Sequence, residues 1–135
     1  MRGINILVSH TLYLAISFGL LSALFGAYIY TTYNWENNLK NEELKEVAYS
    51  IKSQISDLST YYFDNFTIEK RLNIKNYIGN KQYKIEFKNK TIKISQDDNF
   101  VEVNVSNDFE LTGVAFAPAK IIYKFPEKTI EIKGV

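Results

Sequence analysis

The side chains that most often carry catalysis are scarce in this sequence of 135 residues. It has no cysteine, which excludes disulfides, thiol catalysis and cysteine-bound metals. Its one histidine, His10, lies in an apolar stretch that contains no acidic residue. Nucleophilic catalysis would need a base beside a serine or threonine, and the chain offers no second histidine. We therefore expect no enzyme activity, no catalytic residue, no cofactor and no small-molecule substrate, and we interpret His10 as a side chain at a membrane surface.

Four acidic side chains could approach one another across a turn and hold a calcium ion: Asp97, Asp98, Glu102 and Asp108. Acids near strand ends are more often simply solvated, so we predict no metal site. The six glycines are scattered and form no phosphate-binding loop. Residues 61–135 carry 12 basic and 10 acidic residues, and this balance gives no indication of a nucleic-acid partner.

Three Asn-x-Ser/Thr sequons mark candidate N-glycosylation sites, at Asn65, Asn89 and Asn104. Matches of this kind also arise by chance in a chain rich in asparagine. All three lie in the part of the chain that we expect to be outside the cell. Asn89 is at the tip of a predicted hairpin and is the most accessible of the three.

The elements that must position these residues begin with a long apolar segment. No Lys, Arg, Asp or Glu occurs from Ile4 to Tyr33, and the uninterrupted apolar core from Leu12 to Tyr30 has 19 residues. A membrane-spanning helix needs about 20 residues, whereas the apolar region of a cleaved signal peptide has about 7 to 15. An aromatic cluster from Tyr28 to Trp35 follows, which suits a membrane–water interface. The sequence therefore predicts one transmembrane helix over residues 4–33.

The charges that flank this segment predict its orientation. Arg2 and the α-amine precede it, and the first charge after it is Glu36. The positive-inside tendency then places the N-terminus in the cytoplasm and the C-terminal part outside the membrane.

The predicted transmembrane helix has two unlike faces. Small residues at every third or fourth position let helices approach closely in lipid, although Gly, Ala and Ser are also generally common in membrane spans. Bulky residues line another face, at Leu14, Phe18, Leu21, Phe25 and Ile29. We interpret the small-residue face as a helix-packing face, formed by Ala15, Gly19, Ser22, Ala23 and Gly26.

Beyond the apolar segment the helical period persists but becomes amphipathic. No proline or glycine lies between Ala27 and Ile78, so nothing forces a break. The sequence predicts an amphipathic helix over residues 34–60 that continues from the transmembrane helix and docks on the rest of the chain. Its apolar stripe is formed by Leu44, Val47, Ala48, Ile51, Ile55 and Leu58.

After residue 60 the period changes to two, which is typical of strands. Apolar and polar residues alternate around Tyr83–Phe87, and Asn89-Lys90 makes a tight turn into the next strand. Six or seven short strands are expected over residues 61–135, as a small antiparallel sheet or β-sandwich. The shorter strand candidates are Phe66–Ile68, Leu72–Ile74 and Phe109–Val114. The fold class is therefore α+β, with a long N-terminal helix followed by an extracytoplasmic β domain.

This layout resembles archaeal type IV pilin-like proteins, in which a short basic leader precedes a long helix and a compact β domain. The residues that match are Arg2-Gly3 before the apolar segment that starts at Ile4. A second similarity is the stretch from Ile78 to Ile85, which is similar to an Ile-Gly-Gly-x-x-Tyr-x-Ile pattern with Asn80 at the second glycine. Val8 stands at the fifth position counted from Ile4, where bacterial pilins carry glutamate, and this argues against the bacterial branch only, since archaeal members often lack that glutamate.

The resemblance implies that residues 1–3 are a leader, removed by a prepilin peptidase between Gly3 and Ile4. It also implies the partners of the chain, which are the membrane, the pilus assembly machinery and other pilin-like subunits in a homo- or hetero-oligomer at the cell surface. The alternative is a signal-anchored surface protein that does not polymerise, such as an archaellum stator-type or cell-envelope-binding module. The two hypotheses differ in whether the bond after Gly3 is cut and whether the helix meets other helices or lipid.

Overall fold

A computed structural model describes residues 2–60, 66–106, 108–125 and 127–135, and gives the backbone alone for residues 2–4 and 59. One helix, α1, runs from Arg2 to Ser59 and has 58 residues. Seven strands follow, and these are β1 (Thr67–Arg71), β2 (Lys84–Asn89), β3 (Thr91–Gln96), β4 (Asn99–Asn104), β5 (Glu110–Phe116), β6 (Ala119–Lys124) and β7 (Thr129–Gly134). The predicted α+β fold is therefore confirmed.

The contacts between Cα atoms divide the chain into two compact units. The N-terminal unit covers Met1–Asn37 and the sheet unit covers Asn38–Val135. The division falls inside α1, four residues beyond the end of the predicted transmembrane segment. The second part of α1 thus belongs to the same compact unit as the strands.

The described strands form one seven-stranded sheet in the order β1-β6-β7-β5-β2-β3-β4. Its neighbours are antiparallel except β5 and β7, which run parallel from the pair Glu110–Thr129 to the pair Thr112–Glu131. The structure thus has the predicted single sheet, but the expectation that it is antiparallel throughout is wrong at β5 and β7, because β6 lies between them in the sequence and returns the chain to the same direction. The candidate strand at Leu72–Ile74 is wrong, because these residues lie in the connection from β1 to β2. Leu72 is nevertheless buried, and its backbone N–H donates to the carbonyl of Ala119 at 3.0 Å.

The core of the sheet unit lies between one face of the sheet and one stripe of α1. Each strand from β2 to β7 alternates between the core face and the opposite face, because successive side chains of a strand point to opposite sides. The buried helical residues are Leu44, Val47, Ala48, Ile51 and Ile55, and Leu58 is partly buried against them. This is the predicted docked stripe. The opposite face of the sheet carries ion pairs between neighbouring residues, such as Lys124 with Glu131 at 3.0 Å.

Turn geometry fixes the register at two places in the sheet unit. Asn89 has φ +56° in the two-residue turn between β2 and β3, a conformation that asparagine tolerates. Gly79 and Asn80 both have positive φ between the bridged residues Ile78 and Lys81. These two residues are the Gly-Asn pair of the stretch that resembles the pilin-like pattern, so asparagine in place of the second glycine suits the turn.

Gly113 in β5 is required for the contact with β7. Its φ is +108°, and a Cβ atom there would lie 2.7 Å from the backbone oxygen of Ile132. Any other residue would therefore be strained and would push the two strands apart.

Candidate functional site

The exposed apolar surface of the N-terminal unit is the most unusual feature of the chain. In the described side chains of residues 5–30 every residue is exposed, including Leu14, Phe18, Leu21 and Phe25, which are all more than half exposed. By length and composition this part of α1 could cross a membrane. Exposed apolar patches beyond a few hundred Å² mark interaction sites, so this surface needs lipid or apolar side chains around it.

The small-residue face predicted from the sequence lies entirely on this exposed surface. Ala15, Gly19, Ser22, Ala23 and Gly26 are all exposed. A Cβ atom built on Gly19 or Gly26 meets nothing within 4 Å among the described residues. No described residue therefore covers these two glycines, and the face is open to another helix.

The three threonine hydroxyl groups of this part of α1 are satisfied within the helix. Thr11 donates to the carbonyl of Leu7 at 2.9 Å, and Thr31 donates to that of Ala27 at 2.8 Å. Thr32 makes the same contact with Tyr28. A threonine that bonds the carbonyl four residues earlier needs no water, so these polar groups are compatible with an apolar environment.

An aromatic cluster marks the end of the uncharged segment. Tyr28, Tyr30, Tyr33 and Trp35 are each between 64% and 70% exposed. Amphipathic rings of this kind are enriched where a helix leaves the hydrocarbon layer, since one part of each ring is apolar and the other is polar.

The residues of the candidate cleavage site are only partly described. The backbone of Arg2, Gly3 and Ile4 belongs to α1, which begins at Arg2, and their side chains lie outside the described residues. His10 is exposed on the surface of α1.

The four acidic residues considered for calcium are not brought together. Asp97 and Asp98 form the turn between β3 and β4, whereas Asp108 lies past the other end of β4. Asp97 instead pairs with Lys81 at 2.9 Å, a hydrogen bond that lowers the pKa of its carboxyl group. In the described ranges no three His, Cys, Asp or Glu side chains are grouped as metal ligands.

Two of the three candidate glycosylation sites lie in the described residues. Asn89 is exposed in the β2–β3 turn, and Asn104 is exposed at the last position of β4. Asn65 lies outside the described residues. The structure brings Asn89 and Asn104 to the same end of the sheet.

The sequence reasoning missed the contacts that hold the β1–β2 connection on α1. Gln54 accepts from the backbone N–H of Asn73 at 3.0 Å and donates to the carbonyl of Asn73 at 3.3 Å. Lys75 pairs with Glu46 at 3.0 Å. The helical spacing of Glu46 and Gln54 could have indicated that polar residues beside the apolar stripe contact another segment. No local pattern in the sequence identifies the residues that they contact.

Comparison with known proteins adds no relative, since no protein-family model, curated protein or solved structure matches this chain. Its function has to be inferred from the residues and their arrangement.

Proposed function

We propose that this chain is a structural subunit of an archaeal type IV pilus-like surface filament, as a major or minor pilin or pseudopilin. The observation that carries the proposal is the exposed apolar surface of residues 5–30 on a helix that continues without a break into the core of the sheet unit. Such a helix needs apolar neighbours along its first part and holds a folded domain with its second part.

The charges around the apolar segment support the orientation in this proposal. Arg2 stays in the cytoplasm and the sheet unit lies outside, since Arg2 and the α-amine are positive charges directly before the uncharged segment and the first charge after it is Glu36. The sheet unit has no cysteine and is held together by its apolar core, so it needs no disulfide in any compartment.

In the proposed pathway a prepilin peptidase removes residues 1–3 and leaves Ile4 as the new N-terminus. The support is the basic-Gly pair Arg2-Gly3 directly before the apolar segment. The assembly machinery then extracts the helix from the membrane into a bundle of equivalent helices.

Extraction exchanges lipid for neighbouring helices, and this exchange is nearly neutral hydrophobically because lipid tails are as apolar as leucine. Close packing must therefore supply much of the preference for the filament. Gly19, Ala23 and Gly26 permit that packing, since no group of the described chain occupies the space above the two glycines.

Gly19→Leu tests the assembly step, because it adds bulk to the small-residue face at a position where a Cβ atom meets nothing within 4 Å among the described residues. We expect normal membrane insertion and leader removal but few or no filaments by electron microscopy of the cells. Ser17→Leu is the matched control, since it adds similar bulk on the opposite side of the helix. We expect it to assemble.

Filaments of normal number and length from the Gly19→Leu protein would contradict the proposed helix packing. If the wild-type protein itself is surface-exposed and never found in filaments, the chain is instead the signal-anchored, non-polymerising surface protein.

A further inference from the structure

The two edge strands of the described sheet, β1 and β4, run in opposite directions. Five of the six pairings between neighbouring strands are antiparallel, and only β5 and β7 run parallel. The strand direction therefore reverses five times from one edge to the other. Seven strands without the parallel pair would have edges that point the same way.

Strand β4 is an edge without the usual protection against pairing. It has no proline or lysine, and its single charged side chain is that of Glu102. The backbone N–H of Val105, just past β4, donates to the carbonyl of Lys90 at 2.8 Å. Because hydrogen-bonded and non-bonded pairs alternate along an antiparallel ladder, the backbone groups of Glu102 and Asn104 point away from β3.

Strand β1, the other edge, has the matching pattern. The backbone N–H of Leu72 donates to the carbonyl of Ala119 at 3.0 Å, so the backbone groups of Glu69 and Arg71 point away from β6. The side chains of Glu69 and Arg71 are exposed. Arg71 forms no ion pair with another described residue.

One row of register partners crosses all seven strands and places Asn104 of β4 level with Glu69 of β1. The residues between them in this row are Thr91, Lys88, Thr112, Glu131 and Ile122. Directly opposite side chains lie on the same face of a sheet, so both ends of the row lie on the face opposite the core. In two copies that stand side by side at the same level, Asn104 faces Glu69 of the second copy, and Glu102 faces its Arg71.

The charges favour this register. Unlike charges directly opposite each other stabilise an antiparallel pair, and the carboxylate of Glu102 meets the guanidinium of Arg71. A shift by two residues either places Glu102 opposite Glu69, where the carboxylates repel, or leaves Arg71 opposite an uncharged residue. The apolar side continues as well, since Val105 comes to lie opposite Ile68, which is only partly buried at the rim of the core.

The strands run alongside the docked part of α1. β1 starts beside Tyr123, whose hydroxyl donates to the carbonyl of Ile55, and it is followed by Lys75, which pairs with Glu46 nine residues earlier in α1. Copies anchored in one membrane by this helix have α1 in the same direction. Rotation about an axis along α1 therefore brings β1 of one copy beside β4 of the next with the strands antiparallel.

We propose that β4 of one copy of this chain pairs with β1 of a second copy, so that the sheet units join edge to edge. Because the two edges differ, each copy keeps one free edge, and the contact can repeat along a row, a ring or a helix. The inference goes beyond the proposed function, since it needs only the anchoring in a membrane that the filament subunit and the non-polymerising anchor share.

The chain has no cysteine, so a disulfide between introduced cysteines reports this contact directly. Opposite residues of such a pair have Cα atoms about 5.5 Å apart, within the reach of a disulfide. The full-length protein with Asn104→Cys and Glu69→Cys, oxidised in the membranes of cells that make it, should give a ladder of dimers, trimers and larger species on a non-reducing gel. Each single variant should stay a monomer, because identical edges do not meet.

Thr67→Cys in place of Glu69→Cys is the matched control, since it moves the cysteine by two residues along the same edge. Diagonal neighbours are about 7 to 8 Å apart, beyond an unstrained disulfide, so we expect a ladder about five-fold weaker. An equally strong ladder would mean that the copies collide without a fixed register, and it would contradict the proposal.

The charges are tested in the same double-cysteine protein. Arg71→Glu places two carboxylates opposite each other and should lower the cross-linked yield about five-fold, and adding Glu102→Arg should restore it. Glu110→Arg changes an exposed acid on β5, which is not an edge, and should have no effect. A double-cysteine protein that is made and inserted but gives no ladder contradicts the edge contact, and so does a dimer from Asn104→Cys alone.

Filaments separate the failure of this inference from that of the proposed function. A ladder from a protein that is never found in filaments leaves the edge contact standing and contradicts the pilin-like function. Filaments whose subunits give no ladder contradict the edge contact alone.

Discussion

Two buried tyrosines form hydrogen bonds with backbone carbonyls of α1 and of the β1–β2 connection. The hydroxyl of Tyr123 in β6 donates to the carbonyl of Ile55 at 2.7 Å, and that of Tyr83 donates to the carbonyl of Lys75. Burial raises the pKa of both phenols above the ordinary tyrosine value, and for Tyr123 the charge of Asp57 acts in the same direction. Each side chain therefore stays neutral in the folded protein at pH values where a free tyrosine ionises.

These raised pKa values predict a loss of stability in alkali. Below about pH 10 both phenols are neutral in the folded and unfolded chain, and the stabilisation is fully present. Above that pH the unfolded chain releases protons that the folded chain retains, so the free energy of unfolding falls. The measurement is the urea midpoint of the detergent-solubilised protein between about pH 8 and about pH 11.

Tyr123→Phe should lower stability by about 1 kcal/mol at neutral pH, because the buried hydrogen bond from the phenol to the carbonyl of Ile55 is lost. The substitution should also make the loss of stability at alkaline pH smaller. Tyr49→Phe, which changes an exposed side chain, should alter neither. An unchanged alkaline slope in the Tyr123→Phe protein would contradict the role assigned to this phenol.

Ile51 is the central residue of the docked stripe and is 0% exposed. Ile51→Asp would place an unpaired charge between α1 and the sheet, so we expect a loss of several kcal/mol, about 3 or more. Tyr49→Asp is the control on the exposed side of the same helix and should change stability by about 0.5 kcal/mol or less. Thermal unfolding followed by near-ultraviolet circular dichroism compares them, and an unchanged melting temperature for Ile51→Asp would contradict the docking.

At the scale of elements, the sequence predicted the existence of α1 and most strands. The spacing of Leu44, Val47 and Ile51 identifies the face that is buried, since an amphipathic stripe of this kind must cover an apolar surface. The alternation of apolar and polar residues and the Asn89-Lys90 turn identify the β2–β3 hairpin, because both signals lie within a few residues of one another in the sequence.

The order of the strands could not be predicted in this way. β1 pairs with β6, and β7 lies parallel to β5, so both pairings join strands that have other strands between them in the sequence. Local periodicity fixes which face of a strand is buried but not its neighbour. The same limit explains the error at Leu72–Ile74, where the apolar side chains pack on the core from the β1–β2 connection and not from a strand.

The sheet unit should fold without the N-terminal unit, because its core is formed by residues from Leu44 onward. A chain of residues 38–135 is expected to be soluble, with mixed helix and strand signals in circular dichroism. A chain of residues 61–135 lacks the helical side of the core and should not fold cooperatively. A cooperative unfolding transition in the shorter chain, equal to that of the longer one, would show that the docked helix is dispensable.

For the whole molecule, the two parts of α1 have opposite requirements. Residues 5–30 expose apolar side chains along their length, whereas the apolar stripe from Leu44 to Ile55 is buried against the sheet. The candidate packing face could be found from the spacing of small residues, because that spacing reflects the helical period. The group that occupies this packing face could not be predicted from the sequence, since it would come from lipid or from another chain.

The central claim is that this helix is processed and assembled as in a pilin-like subunit. Intact-mass spectrometry of the protein recovered from surface filaments tests it most directly. We expect a mature chain that begins at Ile4, and we expect Gly3→Leu to leave a full-length, membrane-bound protein without filaments. A functional, surface-exposed protein that still carries Met1 or Arg2 would contradict the claim and favour the non-polymerising anchor.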